Sequence, residues 1–231
     1  GGGGGDGAGA VTDGACVLPV VNRPMVYFAL EFLRQAGLSR VLVVCAGEST
    51  ASFVRGWAAE SYSEALELEV VAAPEGARSA EALRLVAPRL TATDVVVMGA
   101  DLLTDVALHD VAAAHRLRAA AATVVLAQRR FAQENKPGKA PKDVDYVGLD
   151  QGRGTLLFSS TADEADKVLQ VRRAVVVSRG AVTMHADLQD TRLYVFATNA
   201  LLGALERFPR FTSLKAHLLP YFIPQQGATG A

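Results

Sequence analysis

The stretch NRPMVYFALEFLRQAGLSRVLVVCAG, residues 22–47, contains a helix signal followed directly by a strand signal. Asn22 is suited to cap a helix, Pro24 to occupy its first turn and Gly37 to end it. The apolar stripe of this helix consists of Met25, Phe28, Ala29, Phe32 and Leu33. Residues 40–45 are then almost continuously apolar, which is typical of a strand buried on both faces of a sheet. The stretch therefore predicts a helix–strand unit of an α/β fold.

The same alternation continues along the rest of the chain. Further apolar strands are predicted at residues 68–72, 95–99, 123–127, 174–177 and 193–197. Helical patterns occupy residues 49–62, 79–88, 106–119, 199–208 and 212–219. Strands that alternate with helices indicate a doubly wound sheet. We expect residues 41–44 and 95–98 to lie in one central sheet.

Two segments after residue 128 differ from this pattern. Residues 131–143 are rich in lysine, proline and glycine, which predicts a mobile surface loop. Residues 146–149 and 155–158 flank a turn-rich segment and are typical of an antiparallel hairpin. The fold class that we predict is therefore α/β, with a doubly wound, mostly parallel but mixed sheet flanked by helices.

Composition excludes several classes of protein. The chain has 231 residues, of which 50% are hydrophobic, and a net charge of −1. This charge provides no general electrostatic surface for nucleic acid or for an anionic membrane. Because no apolar run reaches the roughly 18 residues of a membrane span, we expect no membrane association. Cys16 and Cys45 are too few for a disulfide framework, so we expect two buried thiols in a reducing compartment, the cytosol by default.

Asp101 is the strongest candidate for a functional acid. It directly follows the predicted strand 95–99, and open α/β sheets bind ligands at the carboxyl ends of their strands. A carboxylate at this position could hold Mg²⁺ against substrate phosphates. The alternative is that Asp101 or Asp105 caps the helix that begins near Val106.

The chain offers few cations for phosphate chemistry. Its first lysine is Lys136, although displacement of pyrophosphate needs fixed cations near the phosphate oxygens. Arg23, Arg34 and Arg78 could substitute in principle. The glycine-rich opening, residues 1–9, is either a phosphate-cradling loop or a flexible tail. The four histidines show no pair at i, i+4 spacing, so we predict no metal site.

Motifs add a family resemblance to this picture. Residues 17–25, VLPVVNRPM, resemble the P-V-x-N-x-P-[ML] segment of sugar-phosphate nucleotidyltransferases, and residues 38–44 resemble the strand that follows it there. Within that superfamily the chain is most similar to the gamma-subunit family of eukaryotic translation initiation factor 2B. That likeness is carried by residues 81–88, 99–109, 145–150 and 212–221, of which DLLTDVALH at 101–109 is the most specific.

The chain departs from the pattern of the active enzymes. The arginine and lysine of the family loop G-x-G-[TS]-R…P-K-P have no counterpart, and the nucleobase-contacting G-T-A is matched by Arg78-Ser79-Ala80. Asp101 stands at the metal-carboxylate position, but the second metal acid and the sugar-phosphate lysine have no clear match. The resemblance therefore implies a vestigial nucleotide or metal site without a cofactor. Its residues are Asp101, Gly5, Gly7, Arg23 and Arg78.

The resemblance implies a nucleotidyltransferase-like, Rossmann-like domain over residues 1–231 that lacks its first strand. A left-handed β-helix domain would follow it in the full-length protein. The implied function is that of a non-catalytic subunit of the cytosolic guanine-nucleotide exchange factor that acts on translation initiation factor 2. Expected partners are the other subunits, epsilon especially, and translation initiation factor 2, with no direct nucleic acid and no membrane. The alternative is an active sugar-1-phosphate nucleotidyltransferase (NDP-sugar pyrophosphorylase), which would use Mg²⁺ and a nucleotide.

The aromatic-rich C-terminal segment is the candidate partner surface. It consists of Phe208, Phe211, Leu214, Leu218, Tyr221 and Phe222. An assembly module needs an apolar patch with aromatic anchors, and this segment has the composition for one. The alternative is that these side chains pack against their own sheet.

Overall fold

The computed structural model describes residues 15–61, 66–129, 144–150, 152–161 and 182–226. The chain divides into two compact units. The larger unit contains the described residues between 15 and 124 and residues 192–214. The smaller unit contains those between 125 and 191 and residues 215–226.

In chain order the elements are β1 (Pro19–Val20), β2 (Arg23–Pro24), α1 (Met25–Gln35), β3 (Arg40–Ala46), α2 (Glu48–Ser61), β4 (Glu67–Ala73), α3 (Ser79–Val86), β5 (Asp94–Met98), α4 (Leu108–Leu117), β6 (Ala122–Gln128), β7 (Asp145–Asp150), β8 (Thr155–Thr161), β9 (Thr183–His185), β10 (Leu188–Ala197), α5 (Thr198–Arg207) and α6 (Leu219–Phe222). Short 3₁₀ turns occupy Ala15–Val17, Ala87–Arg89 and Ile223–Gln225, and a π-helix occupies Leu214–Leu218. Strands β6 and β10 contribute residues to both units.

The start of the larger unit follows the predicted helix–strand pattern, with one correction. Helix α1 begins at Met25 after Pro24, and no side chain caps it. The prediction of Asn22 as the cap is therefore wrong. Val21 and Asn22 instead have φ values of +47° and +64° and form the two-residue turn between β1 and β2. Asparagine tolerates this left-handed conformation better than most residues, so it suits the turn as well as a cap.

The first part of the core forms where α1 and α2 cover a parallel pair of strands. Strand β3 pairs with β4 in parallel, from Arg40 opposite Glu67 to Ala46 opposite Ala73. The buried face of α1 is shifted by about one residue from the predicted stripe. It consists of Val26, Ala29, Leu30 and Leu33. Val26 and Leu30 join Val43 and Cys45 of β3 and Val54 of α2 in one apolar cluster.

The second part of the core is built on an antiparallel pair. Strand β10 pairs with β5, from Leu193 opposite Met98 to Ala197 opposite Asp94, and β6 lies on the other side of β10. The four consecutive residues 193–196 are all buried. The predicted α/β class with mixed pairing is thus confirmed. The described strands, however, place residues 41–44 and 95–98 in different sheets, because an apolar run predicts burial and not the neighbour with which a strand pairs.

Arg84 of α3 fastens that helix to the segment after α5. Its guanidinium donates hydrogen bonds to the carbonyl oxygens of Leu205, Phe208 and Phe211 at 3.3, 2.9 and 2.7 Å. Hydrogen bonds from a charged donor are each worth about 1.5–3 kcal/mol. The Leu214 amide also donates to Ser79 Oγ at 2.9 Å. The similarity motifs at 81–88 and 212–214 therefore mark a structural contact.

The smaller unit contains an antiparallel sheet in the order β8–β7–β9, which confirms the predicted hairpin of β7 and β8. Asp145 of β7 is buried, with 4% of its side chain exposed, and its Oδ1 lies 2.6 Å from Lys215 Nζ. Its other oxygen accepts a hydrogen bond from the Asp190 amide at 3.0 Å. A buried carboxylate needs such partners, since an unpaired one would be strongly destabilising.

The C-terminal segment is packed into the protein. Leu214, Leu218 and Phe222 are buried, and the other three residues of the candidate partner surface are half-buried. Burial of Leu214, Leu218 and Phe222 favours the alternative in which these side chains pack within the protein. The predicted helix at 212–219 is instead a π-helix at Leu214–Leu218 followed by α6, whose first turn accommodates Pro220.

Two predicted segments, the loop at 131–143 and the strand at 174–177, lie outside the described residues. Within the described ranges, no helix combines the length and the apolar character that crossing a membrane requires.

His115 of α4 is a buried titratable group in the larger unit. Only 2% of its side chain is exposed, its Nδ1 lies 2.8 Å from Thr123 Oγ1, and its Nε2 lies 3.7 Å from Asp94 Oδ1. Burial lowers the pKa of His115 below its ordinary value of 6.5, although Asp94 acts in the opposite direction. Burial in the folded protein therefore favours the neutral form of this imidazole over the protonated form.

We predict that acid destabilises the protein through His115. The pKa in the folded state is below that of the unfolded chain, so the unfolded chain binds the proton more readily. This contribution to stability is complete above the ordinary pKa of 6.5 and is lost as the pH falls below it. The urea midpoint, measured from about pH 7.5 to about pH 5.5, should fall more for the wild type than for His115→Gln. The matched control His109→Gln changes a histidine whose side chain is 79% exposed, and it should keep the wild-type slope. Equal slopes for wild type and His115→Gln would contradict this assignment.

Candidate functional site

Asp101 lies in the turn that ends β5. The Leu102 amide donates a hydrogen bond to the Gly99 carbonyl at 3.1 Å, which closes this turn. Helix α4 begins only at Leu108, its N-terminal cap residue is Ala107, and no side chain caps it. The alternative in which Asp101 or Asp105 caps this helix is therefore wrong.

The carboxylate of Asp101 is paired with an arginine from β10. Arg192 Nη2 donates to Asp101 Oδ2 at 2.8 Å, and the two side chains are 38% and 19% exposed. Arg192 has a φ of +61°, and its carbonyl oxygen accepts a hydrogen bond from the Gly99 amide at 3.1 Å. Such a backbone conformation costs an arginine on the order of 1 kcal/mol, so the contacts around it must offset that cost.

Gly99 allows this ion pair to form. A Cβ atom at residue 99 would lie 2.8 Å from Asp101 Oδ1 and 3.6 Å from Arg192 Cζ. The first of these distances is shorter than real Cβ contacts, so any other residue would displace the carboxylate. The Gly99–Asp101 turn and Arg192 therefore act together as one site.

The described residues at this site do not fit a Mg²⁺ ion. Asp101 Oδ2 is occupied by a guanidinium, which would repel a divalent cation placed beside the same carboxylate. In the ranges that the structure describes, no group of three or more His, Cys, Asp or Glu side chains is arranged to hold a metal. What the arrangement provides is a fixed, internally neutralised carboxylate.

The other predicted site residues lie elsewhere or outside the described chain. The Arg23 guanidinium stacks on the Tyr27 ring, with Cζ 4.2 Å from the ring centroid. Arg78 precedes α3, where its amide donates to Glu81 Oε2 at 2.8 Å, and its side chain is exposed. Among the described residues, no hydrogen bond, ion pair or ring contact joins Arg23, Arg78 and Asp101 to one another. Gly5 and Gly7 lie outside the described residues.

Sequence analysis missed Arg192 for an identifiable reason. The residue directly precedes the predicted strand 193–197, so its position in the chain was visible. Only the antiparallel register, with Leu193 opposite Met98, brings it to the end of β5. Antiparallel pairing of these two apolar strands was not predicted.

Comparisons with known proteins agree with this fold. Residues 15–141, more than half of the chain, match the family model described as nucleotidyl transferase. Translation initiation factor eIF2B subunit gamma of Dictyostelium discoideum is 26% identical over 227 residues, which cover 91% of this chain and 51% of that protein. Translation initiation factor eIF2B subunit epsilon of Schizosaccharomyces pombe is 29% identical over 108 residues, which cover 45% of this chain and 16% of that protein. The crystal structure of HddC from Yersinia pseudotuberculosis aligns with a TM-score of 0.61 at 11% identity, covering 90% of this chain and 76% of HddC.

These matches confirm the resemblance that the motifs indicated. The chain spans about half the length of the gamma-subunit relative. The match to HddC, at its low identity, supports the fold alone.

We predict that Asp101 and Arg192 stabilise the protein as a coupled pair. In a double-mutant cycle of Asp101→Asn and Arg192→Gln, urea unfolding should give a coupling energy of about 1 kcal/mol, since the pair is partly shielded from solvent. Glu48 and Arg55 provide a matched control pair whose side chains are 67% and 43% exposed, and their coupling should be weaker. A coupling energy for Asp101 and Arg192 that does not exceed the control would contradict the pairing.

Proposed function

The chain belongs to the nucleotidyl transferase family, and we propose that within this family it serves as a non-catalytic assembly and binding subunit. The observation that carries the proposal is the Asp101–Arg192 ion pair. A transferase that used Asp101 for Mg²⁺ would need this carboxylate free to meet the ion and the substrate phosphates. Here the same carboxylate is neutralised by a cation from its own chain.

The distribution of cations supports the same proposal. Pyrophosphate displacement is catalysed mainly by fixed positive groups at the phosphate oxygens. No lysine precedes Lys136, and the Arg23 guanidinium is stacked on an aromatic ring. Arg78 stands where the active family has the glycine of its nucleobase-contacting motif, and a side chain there obstructs close approach of a base. We therefore propose that this domain uses neither a nucleotide nor Mg²⁺ as a cofactor.

The full-length protein, in our proposal, is a subunit of a multi-subunit guanine-nucleotide exchange factor that acts on translation initiation factor 2 in the cytosol. The similarity to a gamma subunit over 91% of this chain supports this assignment. The shorter similarity to an epsilon subunit supports a partner that carries a related domain. Translation initiation factor 2 is the proposed substrate factor. We propose no direct contact with nucleic acid, because the net charge of −1 supplies no general electrostatic attraction to phosphates.

Affinity capture of the tagged full-length protein from cytosol tests the assembly role. We expect an epsilon-type subunit to co-purify in stoichiometric amount, together with the other exchange-factor subunits and translation initiation factor 2. The variant Asp101→Asn should recover the same partners, because the carboxylate is not part of a working active site. Recovery of a monomer or a simple homo-oligomer, with none of these partners, would reject the proposal.

Pyrophosphate release tests the rival, an active sugar-1-phosphate nucleotidyltransferase. The full-length protein should release no pyrophosphate above background from nucleoside triphosphates, sugar 1-phosphates and Mg²⁺. Typical enzymes turn over at about 1–10³ s⁻¹, so an assay of about an hour would reveal even a strongly impaired transferase. Turnover that disappears in Asp101→Asn would establish the rival and overturn the non-catalytic assignment.

A further inference from the structure

Arg192 reaches the Asp101 carboxylate from an unusual backbone position. Among the described residues, four that are not glycine have a positive φ, and Arg192, at +61°, is the one that lies inside a strand. Glycine adopts this conformation without cost, whereas a residue with a side chain is strained in it. The Gly99 amide donates to the Arg192 carbonyl at 3.1 Å and thereby holds residue 192 beside the end of β5. The strained residue is thus the one that brings a guanidinium to this turn.

The space around the ion pair is as specific as the backbone. A Cβ atom at Gly99 would lie 2.8 Å from Asp101 Oδ1, and 3.6 and 3.7 Å from Arg192 Cζ and Nε. The carboxylate and the guanidinium therefore both pack against the bare backbone of residue 99. The Asp101 side chain is 19% exposed, so solvent has access to this carboxylate. A hydrated cation could approach it if the guanidinium were absent.

We propose that Arg192 is the residue that excludes divalent cations from the Asp101 carboxylate, and that removal of its guanidinium turns this strand end into a weak Mg²⁺ site. The proposal rests on the non-catalytic role proposed above and names the side chain that determines it. Mg²⁺ keeps several of its waters and binds through one or two carboxylates. Arg192 Nη2 already lies 2.8 Å from Asp101 Oδ2, and like charges at such short range repel each other. Guanidinium and divalent cation therefore compete for the same carboxylate.

Three substitutions at residue 192 separate the charge from the backbone strain. Arg192→Gly removes the guanidinium and also relieves the positive φ, so this variant should fold despite the loss of the ion pair. Arg192→Met removes the charge but keeps the strain, and its urea midpoint should be below that of Arg192→Gly. Arg192→Lys keeps a positive charge on a long side chain. We expect the glycine and methionine variants to admit a divalent cation and the lysine variant to exclude it.

The test is the broadening of amide signals by paramagnetic Mn²⁺, measured by NMR on the intact, isotope-labelled chain. Mn²⁺ prefers the same oxygen ligands as Mg²⁺ and is added at a small fraction of the protein concentration. In Arg192→Gly the amide signals of Gly99 and Leu102 should broaden several-fold more than in the wild type. Excess Mg²⁺ should restore them. Adding Asp101→Asn to the glycine variant should abolish the extra broadening, which assigns it to this carboxylate.

The opposite end of β5 offers a matched control. Asp94 begins this strand, its side chain is 18% exposed, and its Oδ2 accepts a hydrogen bond from Arg116 Nε at 3.0 Å. Arg116→Gln therefore also removes an arginine from a partly shielded carboxylate. Because Asp94 lies a full strand length from the turn, this variant should leave the Gly99 and Leu102 signals at their wild-type width.

Three results would overturn the proposal: wild-type broadening as strong as in Arg192→Gly, no broadening in the folded glycine and methionine variants, or a lysine variant that binds Mn²⁺ as the glycine variant does. Failure of the proposed function gives a different pattern. A wild type that excludes Mn²⁺ but captures no exchange-factor subunit rejects the assembly role alone. A wild type that captures those subunits while binding Mn²⁺ at Asp101 rejects the exclusion alone.

Discussion

The antiparallel pairing of β5 with β10 is the contact on which the rest of the larger unit depends. Residues 193–196 of β10, which lie in this pairing, are all buried. The pairing places Leu193 opposite Met98 and Ala197 opposite Asp94. The same register brings Arg192 beside Gly99 and thereby creates the Asp101 ion pair. Core packing and site chemistry therefore have a single structural origin.

The ion pair with Arg192 gives the Asp101 carboxylate a partner from within the chain. A carboxylate at the end of β5 is costly to leave unpaired when it is only 19% exposed. A divalent ion would come and go with its concentration, whereas a guanidinium on a neighbouring strand is always present. The left-handed backbone at Arg192 adds strain, yet the pairing on either side holds the residue in place. Such an arrangement favours a constant shape at the end of β5.

Much of the fold could be predicted from the sequence, because most helices and strands carry their own periodicity. The helix–strand unit at 22–47, the later apolar strands and the β7–β8 hairpin are examples. Pairing between distant strands could not be predicted, since nothing in the residue types or positions of Val97 and Tyr194 indicates that they lie opposite each other. The position of Asp101 directly after β5 could be predicted, but its partner Arg192 depended on the pairing of β5 with β10. The turn at Val21 and Asn22 was missed because asparagine suits both a cap and a left-handed turn.

The Arg84 contacts have a consequence for synthesis of the protein on the ribosome. The carbonyl groups that this guanidinium binds lie 121 to 127 residues further along the chain. At about 5–20 residues per second, α3 emerges roughly 6–25 seconds before its acceptors exist. During that interval its apolar face has no complete docking surface, and only water satisfies Arg84. The nascent chain thus passes through a period in which α3 lacks the contacts that hold it in the folded protein.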